Sequence, residues 1–422
     1  MSRTLLLSIF LFIYVTGFVG STLSQTEKLQ HPTPVTTGME NLLENHLSEL
    51  RGKSIGLIVN QTAVDGEGVH LVDRLMEAGI DIQTIFAPEH GYRGEAAAGE
   101  EIQDGRDPVS GARVYSLYGE HRKPTQEMLG GLDILLYDIQ DVGVRFYTYI
   151  NTMGYAMQSA AENVVEFWVL DRPNPISGSR VNGPMLQNGF ESFVGLYPIP
   201  VRYGLTAGEL AKMIVGEGFL KFPKGFEPAI LPMKKWRRNL WSDETDIPWV
   251  APSPNMNEMA TAILYPGLCF IEGTNISEGR GTDSPFQWIG APWISSEDLA
   301  EELNKAGISG VRFEPITFTP KEIPGRAWNP KYEDEVCGGV SIRITNRDSL
   351  KAVEVGVRII HAVHKMYPEE FEWREAAIDR LYGSDELRES IDGGATPDEI
   401  IAGWREPLER FLEIRDDYLL YE

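Results

Sequence analysis

The chain has 422 residues, of which 42% are hydrophobic and 24% charged, and it carries a formal net charge of −24. This composition is typical of a globular protein, and the length favours two domains over a single core. The strong negative charge argues against nucleic acid or an anionic membrane surface as the main partner, although a local group of arginines could still bind an anionic small molecule.

The N-terminal segment predicts export. Residues 1–25 combine Arg3, an apolar run and small residues, and the apolar run is shorter than the ~20 residues that a membrane-spanning helix needs. We interpret 1–25 as a signal peptide and 26–38 as a linker, so the mature protein would be periplasmic or extracellular and free of the membrane. Cys269 and Cys337 are the only cysteines, and they could form one bridge or remain two buried thiols.

Strand and helix patterns alternate in the first half of the chain. Four apolar runs read as buried strands, and the segments between them have helical spacing. The predicted strands are SIGLIVN, DIQTIFAP, DILLYDI and EFWVLD, and the predicted helices are HLVDRLMEAGI, KPTQEMLGGL, YTYINTMGYAMQSAAENV and GLTAGELAKMIVGEGF. This order predicts an α/β fold with a mostly parallel sheet covered on both faces.

A stretch rich in proline and tryptophan follows, and it places a domain boundary near residue 260. We therefore predict an N-terminal domain over 39–260 and a smaller α/β (α+β) domain over 261–422. The second domain has helices in SSEDLAEELNKAG, SLKAVEVGVRIIHAVHKMY and the last 28 residues, and strands in VRFEPITFTP and GGVSIRITN.

Polar side chains follow every predicted strand of the first domain. In an open parallel sheet, ligands bind beyond the carboxyl ends of the strands, so these side chains are candidates for one shared site. They are Asn60 after the first strand, Glu89 and His90 after the second, Asp138, Gln140, Asp141 and Arg145 after the third, and Asp171 and Arg172 after the fourth.

Glu89 is the strongest single candidate. Pro88 restricts the backbone before it and Gly91 permits a turn after it, which is typical of a positioned functional residue. The motifs HExxH, GxSxG, GxGxxG and the P-loop are absent, and histidines are few, so we expect no metal and no cofactor. Abundant carboxylate, amide and aromatic residues, including Tyr147, favour a carbohydrate site.

Six motifs resemble one known family. They are FAPEHGYRGE, LLYDIQDVGVRFYTYI, LDRPNP, VAPSPNM, LYPGLCFIEGTNISEGRGTDSPFQWIGAPW and CGGVSIRITN, and their order and spacing are similar to those of the exo-β-N-acetylmuramidases. This family of peptidoglycan hydrolases was long known only as a domain of unknown function. The resemblance runs from about residue 50 to the C-terminal DDYLLY.

The resemblance implies a Rossmann-like N-terminal domain without a nucleotide, and a site in the cleft that the smaller domain closes. It implies release of N-acetylmuramic acid from the non-reducing ends of peptidoglycan fragments such as MurNAc-GlcNAc, with Glu89 of the Pro-Glu-His-Gly motif as the catalytic acid.

Glycosidases commonly use a second carboxylate. Asp138 and Asp141 are the first candidates for it, Asp171 and Glu272 the next, and assistance by a substrate group is an alternative.

Muramic acid carries a lactyl carboxylate, for which arginine is the best-suited partner. Arg93, Arg145, Arg172 and Arg280 are the candidates for this contact. Asn255, Glu272 and Asn275, which lie in the matching motifs, complete the predicted substrate contacts. A non-catalytic protein that binds muropeptides in the same pocket is the alternative function, and an amidase or esterase is less favoured because its motifs are absent.

Overall fold

The strand predicted from SIGLIVN lies at the centre of a seven-stranded sheet in the computed structural model of the protein. The structure describes residues 32–89, 91–93, 105–119 and 121–422. The predicted signal peptide, His90 and residues 94–104 lie outside these ranges. Across the ranges described, no helix has the length and apolar character needed to cross a lipid bilayer.

Twelve strands are assigned within these ranges. In chain order they are β1 (Ser54–Val59), β2 (Asp81–Ala87), β3 (Gly105–Arg106), β4 (Arg113–Ser116), β5 (Ile134–Asp138), β6 (Glu166–Leu170), β7 (Asn182–Met185), β8 (Pro200–Arg202), β9 (Ala229–Leu231), β10 (Trp288–Ala291), β11 (Val311–Phe318) and β12 (Cys337–Ile344).

The α-helices of the same ranges follow the predicted alternation and add further elements. They are α1 (Gly38–Asn41), α2 (Leu47–Leu50), α3 (Leu71–Glu77), α4 (Gln126–Leu129), α5 (Tyr149–Glu162), α6 (Ala207–Gly216), α7 (Met259–Leu268), α8 (Ser296–Lys305), α9 (Ala352–Met366), α10 (Glu375–Tyr382), α11 (Glu386–Asp392), α12 (Pro397–Ala402) and α13 (Arg405–Asp416). A π-helical turn, Leu42–His46, joins α1 to α2.

The large sheet has the strand order β3-β4-β2-β1-β5-β6-β9. All neighbouring strands are parallel except β3, which runs antiparallel to β4. The chain moves from β1 to β2 on one side and later returns to add β5 on the other, so the strand order reverses between β1 and β5. Such a reversal opens a crevice at the carboxyl ends of the strands, where ligands bind.

The sheet is buried on both faces, as the continuous apolar runs predict. Along β1, the side chain of Ile58 joins one hydrophobic cluster, while Leu57 and Val59 join the other. The helix α5 packs on the first face and α3 on the second. The predicted α/β fold with a mostly parallel sheet is therefore confirmed.

The second half of the chain forms a three-stranded antiparallel sheet, ordered β10-β12-β11, with helices packed against it. The prediction that the last 28 residues are helical is only partly right. Helix α13 ends at Asp416, and the final residues turn back so that the hydroxyl of Tyr421 donates to Asp171 Oδ2 at 2.6 Å. This buried contact outweighs the helical pattern of the sequence.

Helices α7 and α9 cross with their backbones in direct contact. A Cβ atom on Gly356 would collide with the carbonyl oxygen of Gly267, and a Cβ on Gly267 would collide with that of Ala352. Any side chain at this crossing must therefore push the two helices apart.

We expect Gly356→Ala to lower the free energy of unfolding by about 1–3 kcal/mol, because overpacking forces the helices to separate. Gly105→Ala is the matched control, since a Cβ there would meet no atom within 4 Å. Urea denaturation of both variants checks this, and equal stabilities would contradict the close crossing.

Candidate active site

Glu89 lies just beyond the carboxyl end of β2 in a tight turn. The backbone N–H of Gly91 donates to the carbonyl of Pro88 at 3.1 Å, and Gly91 has a φ of +79°, which glycine adopts without strain. The side chain of Glu89 is half-buried, and Thr148 Oγ1 donates to its Oε2 at 3.0 Å. The turn predicted from Pro88 and Gly91 therefore presents the carboxyl group to its surroundings in a defined position.

A tyrosine just after the neighbouring strand β4 also faces Glu89. Tyr118 follows β4, and its burial, together with the negative charge of Glu89, raises the pKa of Tyr118 to about 12. The phenol stays protonated at neutral pH and can donate a hydrogen bond. Glu89 thus has two neutral hydroxyl groups beside it, from Tyr118 and Thr148.

Glu89 opens into a cavity of about 570 Å³ that both halves of the chain line. We call this the main cavity. The first half contributes the turn of Glu89, the start of α5 and the loop around Phe193, and the second half contributes α7, the turn after it, and α10. The lining residues are Glu89, Tyr118, Arg122, Phe146, Thr148, Ser192, Phe193, Val194, Tyr265, Cys269, Glu272, Arg280, Arg380 and Leu381.

A smaller and deeper cavity of about 70 Å³ also borders Glu89. Its walls are mainly aromatic rings, those of Tyr147, Tyr149, Tyr265 and Phe286 among them. Asn255 lies in the same wall, where its Nδ2 donates to the carbonyl of Arg326 at 2.7 Å. Its Oδ1 is buried and has no hydrogen-bond partner among the residues that the structure describes, so an acceptor remains available there.

Arg280 stands between these cavities in a cluster of charges. Its Nη2 lies 2.8 Å from Glu272 Oε1, its Nε lies 3.6 Å from Glu278 Oε1, and its guanidinium stacks 5.1 Å from the ring centre of Phe286. Burial would lower the pKa of Arg280, but the two carboxylates outweigh that effect and raise it. Arg280 is thus a fixed cation whose charge its own neighbours largely compensate.

Asp138 and Arg172, both predicted for the site, form a buried ion pair instead. Arg172 Nε lies 2.5 Å from Asp138 Oδ1 and Nη2 lies 2.9 Å from Oδ2, and both side chains are almost fully enclosed. Arg172 Nη2 also donates to the carbonyl of Val64 at 3.0 Å. The two charges of this bidentate pair therefore compensate each other beneath the sheet edge. Neither residue lines the main or the smaller cavity.

Asp141 and Asp171 are likewise enclosed in hydrogen bonds away from the two cavities. Burial raises the pKa of Asp141 to about 6, and its Oδ2 accepts from the N–H of Gly143 and the hydroxyl of Tyr203. Asp171 accepts from Thr206 Oγ1 at 2.7 Å at the start of α6, besides its contact with the C-terminal tail. These carboxylates hold loops and the C-terminus in place.

Arg145 is fully buried and faces no carboxylate within hydrogen-bonding distance among the residues described. Its two Nη atoms donate to four carbonyl oxygens, those of Pro184, Ile199, Leu381 and Tyr382, at 2.6–3.0 Å. Burial lowers the pKa of Arg145 to about 9, so it remains charged at neutral pH. It connects the loop after β5 to the C-terminal end of α10.

Four other predicted residues lie outside the walls of both cavities. Gln140 Nε2 donates to the carbonyls of Asp141 and Pro173 at 2.8 Å. The contacts of the others are Asn60 with Thr62, Arg93 with Tyr92 and Asp107, and Asn275 with the backbone of Glu370 and Glu372. His90 lies outside the described residues. The predicted residues that share a cavity with Glu89 are thus Tyr147, Asn255, Glu272 and Arg280.

Several residues of the main cavity were not predicted from the sequence. Tyr118 follows the short strand β4, which was not predicted, although the alternation in RVYS is a weak strand signal. Thr148 falls inside a predicted helix, where it is the N-cap of α5. Arg122 stacks 4.6 Å from the ring of Phe193, and Arg380 lies on α10. Nothing local in the sequence marks either arginine as part of this cleft.

Cys269 and Cys337 are both buried free thiols, so they form no bridge with each other. Within the described ranges, no three His, Cys, Asp or Glu side chains are grouped closely enough to hold a metal ion.

The fold and the cleft together define a class of protein. A half-buried glutamate at the exit of a parallel strand, aromatic rings, and arginines around one cavity suit an α/β protein that cleaves glycosidic bonds.

Comparison with known proteins agrees with this class. A family model described as exo-beta-N-acetylmuramidase NamZ, N-terminal, matches residues 55–260, and its C-terminal counterpart matches residues 263–421. The chain is 43% identical over 418 residues to the peptidoglycan beta-N-acetylmuramidase NamZ of Bacillus subtilis (strain 168), covering 99% of this chain and 98% of that protein.

Two crystal structures of DUF1343 family proteins from Bacteroides fragilis NCTC 9343 are also similar. One has a TM-score of 0.84 and 36% identity and covers 92% of this chain and 100% of its own. The other has a TM-score of 0.73 and 35% identity and covers 92% and 99%. The chain belongs to the exo-β-N-acetylmuramidase NamZ family, which confirms the resemblance found in the sequence.

We expect Asp138→Asn to lower the free energy of unfolding by about 3–5 kcal/mol, because it leaves the buried charge of Arg172 without its partner. The matched control is Asp398→Asn, which removes an equally close but exposed partner of Arg358, 2.5 Å away, and should cost less than about 1 kcal/mol. Urea denaturation measures both, and a small loss for Asp138→Asn would contradict a structural role for the pair.

Proposed function

We propose that this protein is an exo-acting glycoside hydrolase that releases N-acetylmuramic acid from the non-reducing ends of peptidoglycan fragments. The observation that carries this proposal is the position of Glu89 in a cavity lined by both halves of the chain. Membership of the exo-β-N-acetylmuramidase family supports an enzyme over the alternative of a non-catalytic muropeptide-binding protein.

Glu89 is assigned the role of general acid. Cleavage of a glycosidic bond requires a proton on the leaving oxygen, and a carboxyl group held at the edge of the substrate cavity can deliver it. Thr148 and Tyr118 contact Glu89 from two sides and limit its rotation. Both are neutral hydroxyl groups, so neither forms an ion pair that would tie up the glutamate.

Glu272 is our candidate for the second carboxylate. Of Asp138, Asp141, Asp171 and Glu272, it alone lines the main cavity with Glu89. Its ion pair with Arg280 holds it there, and a negative group facing the sugar ring could stabilise the positive charge that develops at the anomeric carbon. The alternative, assistance by the acetamido group of the substrate, requires no protein carboxylate beyond Glu89.

Recognition of muramic acid is assigned to Arg122 and Arg380. The lactyl carboxylate needs a cation, and Arg280 is already compensated by Glu272 and Glu278. Arg122 and Arg380 line the main cavity from its two sides, and neither forms an ion pair with a described carboxylate. A carboxylate that enters the cavity could therefore form ion pairs with both of these arginines.

The smaller cavity suits an acetamido group. Its aromatic walls favour a methyl group, and the free Oδ1 of Asn255 can accept the amide N–H. Together with the apolar N-terminal segment, which supports export to the compartment where peptidoglycan lies, these features favour an amino sugar of the cell wall as the substrate.

We expect Glu89→Gln to lower kcat/KM for the disaccharide MurNAc-GlcNAc at least about 100-fold, because the leaving sugar then receives no proton. A nitrophenyl muramic acid glycoside should suffer less, since nitrophenolate leaves readily without one. Glu227→Gln, an exposed glutamate far along the chain, is the control. Wild-type rates of Glu89→Gln on the disaccharide would remove Glu89 from the mechanism.

The wild-type protein should hydrolyse the nitrophenyl glycoside of N-acetylmuramic acid at least about 100-fold faster than that of N-acetylglucosamine. N-acetylglucosamine has no lactyl carboxylate, so Arg122 and Arg380 would be left without a partner. Arg380→Met should reduce this preference, and Arg237→Met, which removes an exposed arginine elsewhere, should not. Comparing kcat/KM for both glycosides tests this, and equal rates in the wild type would refute lactyl recognition.

A further inference from the structure

A third pocket lies next to the main cavity, on the far side of Arg280 and Glu272. Its volume is about 260 Å³, and Arg280 and Glu272 line both spaces. Its remaining wall comes from one loop of the second half, residues 326–331, together with Glu278 and Arg374. We call it the loop pocket. The functions assigned so far to the main cavity leave it unused.

The loop that forms this pocket is fastened to the active site. Its backbone is closed by paired hydrogen bonds between Ile323 and Ala327 at 2.8 and 2.9 Å. Asn255 of the smaller cavity donates to the carbonyl of Arg326, and the N–H of Lys321 donates to the carbonyl of Gly281, beside Arg280. These hydrogen bonds therefore fix the position of the loop relative to the residues around Glu89.

Trp328 projects from this anchored loop with 56% of its surface exposed. Burying a tryptophan side chain stabilises a fold, so an exposed indole on a loop whose backbone is fixed by hydrogen bonds indicates a role other than packing. An exposed indole ring in a pocket wall offers a flat apolar surface. The apolar face of a pyranose ring stacks well on such a surface.

Arg326 supplies polar groups beside the indole. Its Nε and Nη2 are enclosed and have no acceptor among the described residues, and its Nη1 is only within 3.9 Å of the exposed Asp283. Enclosed guanidinium donors normally have acceptors. Lys331, by contrast, is fully used, because its Nζ donates to the carbonyls of Ile271 and Ile276 and contacts Glu278.

We propose that the loop pocket is the subsite for the leaving-group sugar, an N-acetylglucosamine residue, which stacks on Trp328 and accepts hydrogen bonds from Arg326 through a hydroxyl or acetamido oxygen. This rests on the proposed function, which places the muramic acid residue in the main cavity. The shared wall of Arg280 and Glu272 lies where the scissile bond would pass from one space to the other.

Two substrates separate this subsite from the rest of the site. MurNAc-GlcNAc carries the leaving sugar, while the nitrophenyl muramic acid glycoside has neither its hydroxyl nor its acetamido oxygens. In Arg326→Met we expect kcat/KM for the disaccharide to fall at least tenfold further than kcat/KM for the nitrophenyl glycoside. Trp328→Ala should lower kcat/KM for the disaccharide at least tenfold and also lower it for the nitrophenyl glycoside, whose aromatic ring can stack on the indole. Val336→Ala and Arg312→Met, which alter exposed side chains outside the pocket, are the matched controls.

An unchanged ratio between the two substrates in Arg326→Met, or a wild-type rate of Trp328→Ala on the disaccharide, would overturn the assignment. Failure of the proposed function would look different. In that case the wild-type protein would release no N-acetylmuramic acid from either substrate, and the assignment of the subsite would be wrong as well.

Discussion

The guanidinium of Arg145 joins the two sides of the cleft through four carbonyl oxygens. Two of them, those of Leu381 and Tyr382, belong to the end of α10, which carries Arg380 into the main cavity. Arg145 also lies three residues before Thr148, whose hydroxyl contacts Glu89. A cation at the C-terminal end of a helix interacts favourably with the helix dipole as well as with individual carbonyls. The distance between Glu89 and the opposite wall of the cleft therefore depends on this buried side chain.

Some charged side chains around the cleft stabilise the fold, and others face the open cavity. The Asp138–Arg172 pair and the carboxylates of Asp141 and Asp171 are enclosed and hold the loops behind the sheet edge. Glu89, Arg122, Arg380 and Glu272 face the open cavity, where a ligand can reach them. Because buried charges must be paired or hydrogen-bonded, the first group is committed to the fold, and only the second is available for binding and chemistry.

Sequence patterns identified four of the seven strands of the large sheet, β1, β2, β5 and β6, because buried parallel strands are continuous apolar runs. They also identified the turn of Glu89, which Pro88 and Gly91 flank. The short strands β3, β4 and β9 were missed. Glu89 was the strongest candidate in the sequence, but the polar residues at the other strand exits were also predicted for the site, because Asp138 follows a buried strand just as directly. Which exit faces the cavity depends on side-chain direction and on a partner such as Arg172, 34 residues away in the sequence.

The sequence by itself determined the fold class, the family and the turn that carries Glu89, because apolar periodicity, contiguous motifs and turn residues are local properties that can be read along the chain. Tertiary structure decided that Arg145 and Arg172 are structural, that Arg122 and Arg380 meet across one cavity, and that Trp328 stands open beside Arg280. These are contacts between segments up to hundreds of residues apart. Their partners are set by how the sheet, α10 and the loop at 326–331 pack, and no local spacing encodes that geometry.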